Sequence, residues 1–133
     1  MKEAKKILVT GGLGFIGGYL IQRLLNKNDQ IILNIDKNSY ASDLKKNAIY
    51  SKNNNKYFFT NINLKNEEAI KSKLADFDPD FIFHFAAESH VDKSIESPKP
   101  FLESNIIGTY NLLEAAREHW DKLPINRKNS FRF

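Results

Sequence analysis

Cysteine is absent from the 133 residues, which excludes disulfides, cysteine-ligated zinc and thiol catalysis. No apolar run approaches the ~18 residues that mark a membrane-spanning helix. The opening Met1-Lys2-Glu3-Ala4-Lys5-Lys6 leads into an apolar stretch too short for a signal-peptide core. A cytoplasmic chain with no membrane partner is therefore expected. Charge of one sign is not in large excess: 20 Lys and Arg against 16 Asp and Glu leave +4. The basic residues are scattered, whereas a nucleic-acid binder gathers them into a stripe, so no nucleic-acid partner is expected. Internal repeats are also lacking. What remains is ordinary globular composition, 41% hydrophobic and 27% charged, in a length that suits one domain over 1–133.

Strand and helix patterns alternate along the chain. Lys6–Thr10 is a short β-branched apolar run, and Leu13–Leu25 carries Ile16, Leu20, Ile21, Leu24 and Leu25 at helical spacing. Gln30–Ile35 and Tyr57–Thr60 read as strands, Asn66–Phe77 as a helix, and Asp80–Phe85 as a fourth strand after the Asp78-Pro79 turn. Pro98–Trp120 reads as one long helix with Ser97 as its N-cap and Pro98 in its first turn. Asn47–Lys56 is polar and non-periodic and reads as a surface loop. Alternation of this kind implies an α/β fold: a Rossmann-type doubly wound parallel sheet with right-handed crossovers. After the polar Asn126–Asn129 stretch, Phe131 and Phe133 alternate about Arg132, as at the start of a fifth strand. The sheet is expected to be truncated there.

The strongest chemical signal is Gly11-Gly12-Leu13-Gly14-Phe15-Ile16-Gly17, which leaves the first strand and opens the first helix. Gly11 permits a tight turn, Gly14 lets a pyrophosphate approach the backbone, and Gly17 lets the helix pack against the sheet. The free N–H groups of the helix start and its dipole face the phosphates. The second half of such a fingerprint is an acid about 20 residues further on, at the end of the second strand. Asp36 stands there. Its carboxylate can accept both adenosine ribose hydroxyls and repels a 2′-phosphate, which favours NAD; the neighbouring Lys37 softens that discrimination. Small Ala86 and Ala87 after the fourth strand leave room for a ligand at the switch point between strands one and four. His84, Glu88, His90 and Asp92 have no standard zinc spacing, so no metal site is assigned. His90 and Asp92 are read as loop hydrogen-bonding groups and His119 as a helix-end cation or surface residue.

With these residues in place, the chain from Lys6 to Phe133 resembles extended short-chain dehydrogenases/reductases, and among them the dTDP-glucose 4,6-dehydratases. The resemblance is carried by Val9–Gly17 (VTGGLGFIG), Asp36-Lys37 with Tyr40-Ala41, His84–Ile95 (HFAAESHVDKSI), Asn105–Arg117 (NIIGTYNLLEAAR) and the closing Asn129–Phe133. It implies NAD as cofactor, with Phe15 and Ile16 offering backbone N–H groups to the pyrophosphate. It implies Asp36, Lys37, Asn38 and Ser39 around the adenosine ribose, and Asn61-Ile62 against adenine where the family has Asp-Ile. Phe85, Ala86, Ala87, Glu88 and Ser89 would line the cofactor, Ser89 would also touch the dTDP-sugar, and Ser104 keeps the hydroxyl of the family's Thr. GDP-mannose dehydratases tend to carry Gln at the position of Glu88. The family reaction, dTDP-glucose to dTDP-4-keto-6-deoxyglucose in nucleotide-sugar and cell-surface polysaccharide biosynthesis, oxidises C4, removes water across C5–C6 and returns the hydride to C6.

The same resemblance identifies what this chain lacks. The superfamily base is Tyr-x-x-x-Lys, in which lysine lowers the tyrosine pKa one helical turn away. Four residues after Tyr19, Tyr40, Tyr50, Tyr57 and Tyr110 stand Arg23, Leu44, Asn54, Asn61 and Glu114. The family's Asp-Glu acid–base pair would follow Phe133, and the sugar-nucleotide domain is absent, so no catalytic residue is assigned. The 98–120 helix is apolar nearly all round (Phe101, Leu102, Ile106, Ile107, Tyr110, Leu112, Leu113, Ala115, Ala116). Such a helix is buried on two sides: one against the sheet, the other, in the superfamily, against the partner of a homodimer. Here the second side should be an exposed apolar patch. Gly108 costs about 1 kcal/mol against alanine in a helix, which points to a close approach there. Three readings follow: the cofactor part of a 4,6-dehydratase without activity of its own, a standalone NAD-binding module, or a shortened paralogue that pairs with a full-length dehydratase.

Overall fold

The computed structural model describes residues 4–27, 29–39, 42–52 and 55–133; the Tyr40-Ala41 part of the resemblance lies outside them. In chain order the elements are β1 (Lys5–Thr10), α1 (Phe15–Leu25), β2 (Gln30–Asp36), α2 (Leu44–Lys52), β3 (Tyr57–Asn61), α3 (Glu67–Phe77) and β4 (Phe81–His84). Then follow α4 (Val91–Glu96), α5 (Lys99–Phe101), a π-helical segment (Leu102–Gly108), α6 (Thr109–Lys122) and α7 (Ile125–Ser130). The strands form a parallel sheet in the order β3-β2-β1-β4, so β4 lies beside β1 as a doubly wound sheet requires.

Strand alternation sorts the apolar residues onto two faces. Leu8, Leu33, Ile35 and Ile82 point to one side and pack with Ile70 and Leu74 of α3 and Leu112, Ala115 and Ala116 of α6. Ile7, Val9 and Ile32 point to the other side and pack with Ile21 and Leu24 of α1 and with Tyr50 and Tyr57. The sheet is thus covered on both faces, which is why its central strands read as continuous apolar runs.

Several expectations are corrected. Residues 47–52 are not loop but the last two turns of α2. The helix has almost no amphipathic pattern and is held instead by Tyr50, whose ring meets Tyr57 edge-on at 5.5 Å and whose hydroxyl donates to the Gly18 carbonyl at 2.9 Å. Val91–Glu96 forms a separate short helix with no buried residue. Ser97 does not cap the long helix: its N–H closes α4 on the Lys93 carbonyl (2.9 Å), and Pro98 stands at the helix start. The long helix runs from Lys99 to Lys122 and is interrupted by the π-helical turn. The close approach at Gly108 is to Leu64, whose Cβ would lie 3.0 Å from an added methyl. β4 ends at His84 rather than Phe85. His119 is not a surface residue: its side chain is nearly buried and Nε2 donates to the Pro79 carbonyl at 3.0 Å.

The 126–129 stretch is helical, within α7, and Arg127 ties that helix to Asp78 (2.6 Å) and Asp80 (3.1 Å). This latch aims the following residues at the β4 edge. Arg132 then bridges Phe81 in parallel, and its carbonyl accepts from Ile82 N at 2.9 Å. The expected strand pairing is therefore present as a single bridge. The expected apolar patch is present too: Leu102, Ile106, Ile107, Tyr110 and Leu113 are all exposed along one side of the long helix.

His84 sits at the end of β4 between two threonines, with Nδ1 2.7 Å from Thr10 Oγ1 and Nε2 2.8 Å from Thr109 Oγ1. Burial holds its pKa below the ordinary 6.5. The folded state thus favours the neutral ring, and stability falls as pH drops below about 6.5, where the unfolded chain takes up the proton first. Urea denaturation at pH 7.5 and pH 5.5 should show a smaller loss for His84→Gln than for the parent; equal losses would contradict this. Leu112 is fully buried whereas its neighbour Leu113 is 46% exposed. Leu112→Ala should cost about 2–5 kcal/mol and Leu113→Ala less than about 1 kcal/mol in the same assay.

Candidate functional site

The site begins with a backbone turn. Gly11 leaves β1 with φ +69°, and its N–H donates to the Ile35 carbonyl at 2.9 Å. A side chain here would be strained and would meet the Phe85–Ala86 backbone at 2.6–2.8 Å. The turn and the exit of β4 are thus in direct contact. Gly17 is also required for space, but its neighbour is the Gly11 carbonyl, 2.4 Å from an added Cβ, and not the sheet. The helix packs on its own glycine loop. Gly14 is the N-cap of α1, and no side chain caps that end and no acid lies in its first turn. The first-turn donors of Phe15 and Ile16, both exposed, are left for a ligand.

Two side chains of β2 hold the loop. Asn34 and Asp36 lie on the same face, two residues apart. Asn34 Oδ1 accepts from Gly12 N and Asp36 Oδ2 accepts from Leu13 N, each at 3.0 Å. Asn34 Nδ2 in turn donates to the Tyr57 hydroxyl (2.9 Å), which donates to Asn47 (3.0 Å). Burial drives the Tyr57 pKa up to about 12, so the phenol stays protonated. Asp36 Oδ1 accepts from Ser42 Oγ at 3.1 Å, and Ser42 Oγ accepts from Ser39 N at 3.0 Å. The intervening Asn38 adopts φ +50°, a left-handed conformation that asparagine tolerates.

Around this frame is a solvent-open cleft of about 570 Å³ at the carboxyl ends of the strands. Of the residues singled out from the sequence, Gly11, Gly14, Asp36, Lys37, Ser39 and Ile62 line it, as do Phe85, Ala86, Ala87, Glu88 and Ser104. Phe15, Ile16, Gly17, Asn38, Asn61 and Ser89 are not on its wall, though Phe15, Asn38, Asn61 and Ser89 each follow or precede a residue that is. Asn61 ends β3 opposite Asp36, and Ile62 N donates to the Asp36 carbonyl at 3.1 Å. Ser89 is exposed beyond Glu88.

The wall also holds Ser42, Asn63 and Leu64, which the sequence reading passed over. Their signal was slight. Ser42 closes a turn on Ser39, and Asn63 starts the turn before the α3 cap Asn66. Across the mouth, Lys37 Nζ meets Glu88 Oε1 at 2.6 Å. Glu88 is fastened at its backbone by Asn105 of the π-helical segment. Thr10 Oγ1, held by His84, accepts from Ala86 N at 3.3 Å, so the histidine steadies the Ala86 wall from beneath. Among the described residues no cluster suited to a metal ion occurs, and no helix is long and apolar enough to cross a membrane.

Comparison with known proteins bears on this geometry. The model of the GDP-mannose 4,6 dehydratase family matches residues 8–133. dTDP-glucose 4,6-dehydratase 1 of Escherichia coli (strain K12) is 44% identical over 128 residues, 96% of this chain and 35% of that protein. The Neisseria meningitidis dTDP-glucose 4,6-dehydratase is 40% identical over 129 residues, 97% of this chain and 36% of that protein. The chain therefore spans about a third of the length of the curated relatives it matches. Among solved structures, the dTDP-glucose 4,6-dehydratase DesIV of Streptomyces venezuelae, with NAD bound, superposes at TM-score 0.78 with 32% identity over 86% of this chain and 36% of that one. The UDP-glucose 4-epimerase of Thermotoga maritima superposes at 0.75 with 29% identity over 86% of this chain and 34% of that one. A glycine turn tethered to an acid at the end of β2, in a sheet of this order and under a family match of this extent, leads to one conclusion: the chain belongs to the GDP-mannose 4,6-dehydratase family.

Proposed function

We propose that the chain binds NAD in the cleft at the strand ends and is the cofactor-holding part of a dTDP-glucose 4,6-dehydratase. The observation that carries this reading is the pairing of an uncapped helix start with a buried acid. The first-turn N–H groups of Phe15 and Ile16 suit a pyrophosphate. Asp36 lines the cleft, is tethered by Leu13 N and Ser42 Oγ, and its carboxylate can accept further hydrogen bonds. Gly14 lines the cleft with no side chain of its own, which suits close approach of a phosphate to the backbone. The solved dehydratase relatives with NAD bound support the same assignment.

In this reading Asp36, Lys37, Asn38 and Ser39 surround the adenosine ribose, and Asn61 and Ile62 meet adenine. Phe85 to Ser89 and Ser104 line the cofactor, and Ser89 reaches the dTDP-sugar of the complete enzyme. Bound NAD supplies a hydride acceptor and donor. The residues of this chain bind it and orient it. They include no Tyr-x-x-x-Lys pair, so deprotonation of the sugar hydroxyl falls to residues other than these 133. Residues 1–133 are thus part of a cofactor domain. The exposed Leu102, Ile106 and Tyr110 supports pairing of the long helix with a second subunit in the complete protein.

Titration calorimetry with NAD tests the assignment. Asp36→Ala should weaken binding by about tenfold or more, equivalent to ~1.4 kcal/mol; an unchanged affinity would remove the ribose contact. The purified 133-residue chain, given dTDP-glucose and NAD, should form no 4-keto-6-deoxy product. Any product would show that the proton-transfer groups lie within the chain after all.

A further inference from the structure

Lys37 raises a selectivity problem within the site just proposed. It follows Asp36 directly and lines the same cleft. An unpaired ammonium there would attract a 2′-phosphate and offset the repulsion from Asp36. In the structure the ammonium is engaged by Glu88 Oε1 at 2.6 Å, and the Glu88 side chain is only 10% exposed. Glu88 comes from the opposite wall, beyond β4, so the pair crosses the mouth of the cleft. The nearby Glu103 also feels the Lys37 charge but is bonded to Lys65 at 2.8 Å, so the ion pair to Lys37 seen among the described residues is that of Glu88.

Glu88 does not reach Lys37 by chance of rotamer. Its backbone is clamped at both polar groups by one side chain: Glu88 N donates to Asn105 Oδ1 at 2.8 Å, and Asn105 Nδ2 donates to the Glu88 carbonyl at 2.9 Å. Asn105 lies in the π-helical turn, a deviation that re-aims side chains and often accompanies function. We infer that Glu88, positioned by Asn105, is a specificity-determining residue that occupies the Lys37 ammonium and thereby keeps the cleft selective for a ribose without a 2′-phosphate. The inference rests on the NAD reading and extends it: Asp36 rejects the phosphate, and Glu88 removes the cation that would readmit it.

Calorimetric affinities for NAD and NADP, measured on the 133-residue chain at one ionic strength, decide the matter. Glu88→Gln keeps the size of the side chain and removes its charge. It should raise the NADP-to-NAD affinity ratio by about tenfold, and the gain should shrink with added salt. The gain should vanish in the double variant Lys37→Met with Glu88→Gln. Asn105→Ala should move the ratio in the same direction by a smaller factor. Should Glu88→Gln fail to fold, Asn105→Ala decides, and an unchanged ratio there would overturn the inference. So would an unchanged ratio in Glu88→Gln, or a gain that survives removal of Lys37, with NAD binding itself intact. A parent chain that binds neither dinucleotide overturns the NAD reading and this inference together.

Discussion

The site depends on the capture of a glycine loop by two polar side chains of one strand. Asn34 and Asp36 project from the same face of β2, and each accepts a backbone N–H of the turn that leaves β1. A loop rich in glycine has much conformational entropy to lose. Two buried hydrogen bonds, one of them to a carboxylate, offset that loss and hold the turn where the start of α1 faces the cleft. The register of β1 against β2 makes this possible: Thr10 lies opposite Ile35, so the residues just after Thr10 fall within reach of Asn34 and Asp36.

The opposite wall is held by a different device. Gly11 lies against the Phe85–Ala86 backbone, Thr10 accepts from Ala86, and His84 is braced between Thr10 and Thr109. The cleft is therefore built from segments tied to one another as well as to the sheet. Asp36 has two roles in this arrangement. One oxygen organises the loop and the other is steadied by Ser42. An acid in that position is part of the scaffold before any ligand arrives.

Much of this was legible in the sequence, for local reasons. Apolar runs marked the strands because both sheet faces are covered, and the glycine spacing with Asp36 at the end of the next strand marked the candidate cleft because each is a fixed spacing within one strand–helix–strand unit. Elements that depend on distant partners were not legible. α2 carries no clear apolar stripe and is a helix because Tyr50 finds Tyr57 and Gly18. His119 has nothing nearby in the chain to mark it as buried, and its partner is the carbonyl of Pro79. Asn34 lies within the second strand with no sequence signal for its role, and it is the residue that receives Gly12.

By itself, the sequence determined the α/β alternation, the glycine turn, the acid at the end of the second strand and the absence of the superfamily's tyrosine–lysine base. Each is a matter of residue type and short spacing. The tertiary structure alone decided which residues face one another across the cleft. Lys37 and Glu88 are far apart in the chain, and Asn105 further still, and no periodicity relates them. They meet because β1 stands between β2 and β4 in the sheet, and because Asn105, within the π-helical segment, bonds to both backbone polar groups of Glu88.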